Sequence, residues 1–441
     1  MGLRDTVEKA ATLLRKKSIH DFEVFGISSD TIRVESKELE LESLTRSNES
    51  GIGIRVLIDG AMGFSYGAES SENLIEAAVT SARYQFKDGH NRIPEPKAGY
   101  SAVESFDPEV ASMSPDDCIS RAGSLEGAAR QADPRVEKIR KASFSRASSH
   151  VRIINSNEIE AAYSTTSAGA SLMVTVREGS DVQSGYDFDF SHSLSRIDVE
   201  KVGRSAVARA AALLGARQLK TTRIPVLFDP SSTAEMLEFI SDAFLGENVI
   251  KEKSFLRNKL GSMCFSQCIT LSDNPLDERA ADACPFDGEG MPSQHTILVD
   301  EGIVKSFLYD TYWGSVAGIE STGNSVRGGY RSWPALGIRH ICLEPSCEPI
   351  SSSLSSLPRV LKVTDIMGMH TANPITGELS VGINGVLFEN GKAVYPVREV
   401  ALSGNIYEMF SRVLCVGDDT REFGNVLCGS LLVDAVDISS Q

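Results

Sequence analysis

One pattern occurs twice in the first half of this chain, and it constrains the fold more than any single motif. GIGIRVLIDG (Gly51–Gly60) resembles ASLMVTVREG (Ala170–Gly179), and RVESKELELE (Arg33–Glu42) resembles RIINSNEIEA (Arg152–Ala161). Both pairs share one offset, with Gly60 falling on Gly179 (179 − 60 = 119). The flanks agree in order. Thr6 to Lys17 is helix-like and precedes three alternating runs, Phe22–Ile27, Thr31–Ser43 and Gly51–Gly60. A turn at Asp59-Gly60 leads into AMGFSYG, the hairpin signal of D-G between alternating segments. Glu72 to Tyr84 is again helical. In the second copy, Asp117 to Ala132 is helical, Val136 to Ser145 alternates, and Asp198 to Leu214 is helical. Helix, meander and helix in two copies is the signature of two similar α+β units packed together, about 1–90 and 115–216. The Pro- and Gly-bearing residues from Lys87 to Pro115 would link them. A chance likeness between strand-rich segments is the other reading.

The second half has a different texture. Ile224–Pro230 (IPVLFDP) reads as a short buried strand, and Ser231-Ser232-Thr233 offers N-cap residue types for a helix to about Ala243. Strands recur at CITLSD (Cys268–Asp273), at His295–Asp310 with its D-E-G turn, and at Ile338–Pro345. A long hairpin, Leu379–Leu402, turns at Asn390-Gly391. The fold class expected is therefore α+β: an N-terminal α+β domain over 1–216, and a predominantly β domain with a few helices over 222–441.

Charge limits the partners. With 44 Lys+Arg against 60 Asp+Glu the formal charge is −16, so no basic footprint for direct nucleic-acid binding exists. No run approaches the roughly 18 apolar residues of a membrane span, and the charged, amphipathic N-terminus is not a signal peptide. The eight cysteines (118, 264, 268, 284, 342, 347, 415 and 428) are scattered, without C-x-x-C or zinc-finger spacing. A reducing cytoplasm fits that usage.

No G-x-S-x-G elbow, no phosphate loop and no dinucleotide fingerprint is present, and no His is followed by Glu. The informative stretches are rich in Gly and Asn: Asp287-Gly288-Glu289-Gly290, Ser321-Thr322-Gly323-Asn324 and Gly368 to Glu378. Such segments hold unusual backbone and expose N–H groups, which suits an extended peptide or an anion. Each is equally readable as an ordinary tight turn.

These stretches also carry a resemblance. DGEG (Asp287–Gly290), ILVDEGIVKSFLYDTYWGSVAGIESTGN (Ile297–Asn324) and HTANPITGELSVGINGVLFENGKAVYPV (His370–Val397) resemble the C-terminal domain of the TldD/PmbA, or modulator-of-DNA-gyrase, family. SGNIYEM (Ser403–Met409), VGDD (Val416–Asp419) and CGSLLV (Cys428–Val433) follow suit, as do RVESKELE and GIGIRVLIDGAMGF in the first half. TldD-type members of that family are metallopeptidases with H-E-x-x-x-H on a helix and a cysteine near the C-terminus. Two imidazoles and a thiolate hold Zn²⁺ there, and the Glu is the general base. In this chain the corresponding helix, SSTAEMLEFISDAFLGEN, contains no His. The two His positions fall on Glu238 and Ala243, the Glu position falls on Phe239, and Cys428 alone remains.

The chain thus resembles the PmbA branch, also called TldE. That resemblance implies no metal, no cofactor and no catalytic residue in this chain, with zinc in a TldD-type partner. The pair would act on short or unfolded peptides, this subunit supplying substrate channel and assembly surface. His370, Thr371, Asn373, Thr376, Gly377, Asp287 and Glu289 are the candidate substrate-binding residues. Cys428 is equally readable as a small packing residue. Two alternatives stand beside this: an independent hydrolase with a site rebuilt around Cys428 and His370, and a gyrase- or toxin–antitoxin-related binding protein without a peptidase role. For assembly, a homodimer in isolation is expected, because long apolar hairpins need covering.

Overall fold

The computed structural model describes residues 2–97, 99–346 and 349–440, so Cys347 lies outside the described residues. The N-terminal helix α1 (Leu3–Lys16) buries Thr6, Val7, Ala10, Ala11 and Leu14, a three-to-four spacing that lays one face on a sheet. Three strands follow: β1 (Asp21–Lys37), β2 (Glu40–Ile58) and β3 (Ala61–Gly67). Helix α2 (Glu72–Arg83) closes the unit. After a short helix α3 (Pro108–Ser112) the order returns. It runs α4 (Pro115–Ala132), β4 (Val136–Asn155), β5 (Glu160–Glu178), β6 (Asp181–Ser191) and α5 (Val199–Ala211).

The runs Phe22–Ile27 and Thr31–Ser43, expected as separate strands, are a correction. The first continues through Ser28-Ser29-Asp30 as β1, and the turn falls inside the second, at Glu38-Leu39, both with positive φ (57° and 64°). Polar Ser28 to Asp30 stay in the strand because they pair with equally polar Ser148, Ser149 and His150 of β4.

All six strands form one antiparallel sheet in the order β3-β2-β1-β4-β5-β6. Its midline is the β1–β4 pair, in which Glu23 faces Asn155 and Ser36 faces Ala142. Since 155 − 36 and 142 − 23 both equal 119, the counterparts of Glu23 and Asn155 are Ala142 and Ser36, which also pair with each other, and that is the register of a two-fold contact. The outer strands agree in detail. A Cβ added at Gly63 of β3 would lie 2.2 Å from the Ala78 carbonyl oxygen of α2, and one at Gly185 of β6 would lie 2.2 Å from that of Ala206 on α5. Helix backbone thus rests directly on both strands. Gly185→Ala is expected to cost about 1–3 kcal/mol by forcing α5 outward. Gly127→Ala, whose Cβ meets nothing within 4 Å, is the control in the same thermal melts.

The helices cover one face of this sheet, and the centre of the other face packs Phe25, Val151 and Ile153 against Phe286, Met291 and Tyr330 of the second half. That half starts with β7 (Thr222–Phe228) and α6 (Pro230–Ser241). The cap of α6 is Asp229, whose Oδ1 accepts the Ser232 N–H at 2.9 Å with Pro230 in the first turn, and not the Ser231–Thr233 run.

Strand β7 lies between Arg359–Met367 and Leu431–Ser440, and the hairpin Glu378–Glu389/Lys392–Asn405 completes the series. Lys392–Asn405 also pairs with Leu431–Ser440, closing these five strands into a barrel. The hairpin's outer edge is thus paired within the chain over Val400–Ser403, with one bridge from Arg217 to Val397, and Lys392–Val394 stay exposed. A second sheet of short strands lies beside it. The chain is α+β, and among the described residues no helix is long and apolar enough to cross a membrane.

Candidate functional site

The expected site residues fall into three separate places. His370 and Thr371 lie on an exposed 3-10 turn, Met369–Thr371, and the loop after it folds on itself. Asn373 Oδ1 accepts the N–H groups of Ile375 (2.9 Å) and Thr376 (3.1 Å), and the Thr376 carbonyl accepts from Asn405. Gly377 has φ +78° with the Tyr407 ring 2.4 Å from where a Cβ would stand, so only glycine fits. Asp287 and Glu289 are buried far from this loop in sequence and in partners. Asp287 accepts the N–H groups of Glu289, Met291 and Ser325. Glu289 accepts from Arg55 Nη1 at 2.7 Å and from the Thr311 N–H at 3.1 Å. Arg55 also holds Glu23 at 2.7 Å, and Arg327 takes the other Glu23 oxygen. This ion network joins the N-terminal sheet to the second half.

The third place is α6. Its inner face (Ala234, Met236, Leu237, Ile240) enters the barrel core, while Glu235 and Glu238, one turn apart, face outward. Phe239 packs partly buried against that core, and Ala243 is buried in the following 3-10 turn. Cys428 is fully buried, its Sγ donating to the Pro230 carbonyl at 3.3 Å. Burial, then Asp229, Asp419 and Glu238, push its thiol far above the ordinary range. A protonated, enclosed thiol is neither a nucleophile nor an available ligand.

The corresponding positions of TldD-type members are where the resemblance implies zinc, and the residues present in this chain do not fit it. Two donors at most remain, no imidazole stands on α6, and among the described residues no group of three or more His, Cys, Asp or Glu could hold a metal ion.

What α6 does line is a cleft of about 830 Å³ between the two halves of the molecule. Its far wall is β6, the outermost strand of the N-terminal sheet, presenting Tyr186, Phe188 and Phe190. Its floor includes Thr364 and Asp365. Two arginines tie the walls together. Arg209 of α5 donates to Asp229 (2.8 Å), to Ser231 (3.0 Å) and to the Thr364 carbonyl. Arg421 holds Asp187 at 2.8 Å and the Phe188 carbonyl. Phe423 meets Phe188 edge-on at 5.7 Å.

Burial foremost, then Asp365, Glu238 and Asp229, push the Glu235 carboxyl up to about 7, against the opposing pull of Arg209. Burial likewise raises Glu238 and Asp365. Of the expected residues only Glu238 lines this cleft. Glu235, Asp365, Arg209 and the aromatic edge were not among the residues singled out from sequence. The alternation Tyr186-Asp187-Phe188-Asp189-Phe190 was the one signal that could have marked that edge.

Relatives share this whole architecture. The chain is 28% identical to metalloprotease PmbA of Escherichia coli O157:H7, over 100% of this chain and 96% of that protein. It is also 28% identical to the metalloprotease PmbA homologue of Haemophilus influenzae, over 99% and 96%. The crystal structure of TldE from Thermococcus kodakarensis superposes with a TM-score of 0.91 at 23% identity, covering 98% of this chain and 99% of that one. Models of the PmbA/TldA metallopeptidase domain 1, central domain and C-terminal domain match residues 22–82, 108–214 and 221–440. With all three domains present in order, the chain belongs to the PmbA/TldD metallopeptidase family.

Proposed function

We propose that this chain is the non-zinc subunit of a TldD/TldE-type cytoplasmic metallopeptidase complex that degrades or processes short or unfolded peptides. The observation that carries this is the cleft: α6, the helix that should bear the zinc ligands, lines it with Glu235 and Glu238 and has no histidine. A family member keeping the cleft and not the ligands supplies channel and assembly surface. The walls suit an extended peptide. Strand β6 pairs only with β5 among the described residues, so much of its outer backbone edge is free for strand addition, with aromatic side chains beside it. Zinc would reside in a TldD-type partner. Alone, the chain would form a homodimer.

An independent thiol hydrolase is disfavoured by the buried Cys428 thiol bonded to Pro230 and by the exposed position of His370. Nothing in the geometry favours a role confined to binding gyrase, and a charge of −16 opposes contact with DNA.

Co-expression with a TldD-type subunit tests the proposal. The expected result is a stable heteromeric complex holding zinc and cleaving unfolded peptides, with neither metal nor cleavage in this chain alone. Stoichiometric zinc and peptide cleavage by the isolated chain would refute it.

A further inference from the structure

The two walls of the cleft are chemically unlike. On one side stand Tyr186, Phe188 and Phe190, and on the other Glu235, Glu238 and Asp365. The charges nearby do not neutralise that second wall. Arg209 is spent on Asp229, and Asp187 on Arg421. Among the described residues Glu235, Glu238 and Asp365 form no ion pair; Asp365 accepts only from Asn384, at 3.2 Å. Glu235 is half-buried beside the exposed Glu238 and Asp365, and a carboxylate so crowded by like charge lacks something that a cation would supply. The facing rings add a preference of the same sign, because aromatic faces attract ammonium and guanidinium groups. Phe423, which lines the cleft and meets Phe188 edge-on, already carries the Arg421 guanidinium 4.9 Å from its ring.

We infer that the cleft selects extended peptides carrying a cationic group, a Lys or Arg side chain or a free α-ammonium, with Glu235 as the specificity-determining residue. The inference rests on the peptide-channel reading above and adds the class of peptide to it. Glu235 is the residue to watch because it faces charge from every side: Asp365 on the floor, Glu238 and Asp229 on its own helix, and Arg209 from α5. Its carboxyl sits near neutrality, so an entering cation completes its ionisation and releases a proton.

Binding to the full chain can be measured by titration calorimetry with acetylated, amidated octapeptides, Ala-Val-Ser-X-Val-Ser-Ala-Val, where X is lysine, norleucine or glutamate. A norleucine peptide with a free amino terminus separates α-ammonium from side-chain recognition. At pH 8 the lysine peptide is expected to bind about tenfold tighter than the acetylated norleucine peptide, and the glutamate peptide more weakly than either. At pH 6, where Glu235 is protonated, the lysine-to-norleucine ratio should shrink.

Glu235→Gln should reduce the pH 8 ratio to about threefold or less. Asp365→Asn is the second variant should the first fail to fold. Equal binding of the lysine peptide, the acetylated norleucine peptide and the norleucine peptide with a free amino terminus would overturn the selectivity while leaving the channel reading intact. Absence of binding by any peptide would overturn the channel reading and this inference with it. An undiminished ratio in both variants would overturn the assignment to this wall.

Discussion

Replacing Arg55 by leucine is expected to cost the folded chain about 3–5 kcal/mol, the usual penalty for stranding buried partner charges. Arg55 is 6% exposed and bridges Glu23 and Glu289, each at 2.7 Å. Without it, two buried carboxylates depend on Arg327, which reaches Glu23 and has no ion pair to Glu289. The Thr311 N–H cannot neutralise Glu289 by itself. Guanidinium denaturation of Arg55→Leu against the parent measures the loss. The double variant Arg55→Leu/Glu289→Leu should recover a large part of it, since the charge left unpaired is then removed as well. A single variant within about 1 kcal/mol of the parent would mean that water already reaches the network.

Acid should expose a second weak point, His340. Its ring is fully buried, and neither nitrogen finds a hydrogen-bond partner among the described residues. Its main chain is fixed, the N–H donating to Asp273 at 2.7 Å and the carbonyl accepting from Asn274 at 2.7 Å. Burial first, with Arg279 assisting and Asp277 opposing, lowers the imidazole to about 4. In the unfolded chain it titrates near the ordinary value of about 6.5. Above that value both states hold neutral imidazole and nothing is lost. Below it the unfolded chain takes up a proton that the folded one refuses, and stability falls until the pH reaches the folded value. The loss between pH 7.5 and 4.5 is about 2–3 kcal/mol.

Asp310 and Glu422, pushed up mainly by burial to about 7 and 8, act in the opposite direction, gaining stability as pH falls through those values. The parent's pH curve sums all of these, so the diagnostic is a difference. His340→Leu should flatten the acid limb relative to the parent by that 2–3 kcal/mol. Parallel curves for parent and variant would refute the assignment.

How far the sequence revealed the molecule differs by element. The hairpin turns at Asp59-Gly60 and Asn390-Gly391 were legible because the residues themselves demand positive φ. The turn at Glu38-Leu39 was not, because neither residue favours the left-handed region that both adopt. Continuity of β1 across Ser28-Ser29-Asp30 was hidden for a related reason, its cause being the polar partner strand more than a hundred residues away.

The position of α6 could be read from sequence, and so could its lack of histidine. Its cap could not, since Asp229-Pro230 looked like the end of a strand. The cleft was the least legible part. Glu235 and Asp365 are 130 residues apart, and both stand more than forty residues from Tyr186, so only packing brings them to one wall and floor. Asp287 and Glu289 show the converse. Their motif is distinctive, and the distinction belongs to an ion network that ties the halves together.

The β1–β4 pairing has a consequence for how the N-terminal sheet behaves in dilute solution. Every other neighbour in that sheet is joined by a short hairpin, whereas Glu23 and Asn155 meet across a sequence separation of 132 (155 − 23 = 132). The contact has the register of a homodimer, yet both sides are tethered. Its formation is governed by the effective concentration that the connecting segment imposes, of millimolar order for flexible connections, and not by how much protein is present. An association that dilution would otherwise undo is thereby made unimolecular. Its cost moves into time, since two locally folded meanders must find each other before the sheet exists.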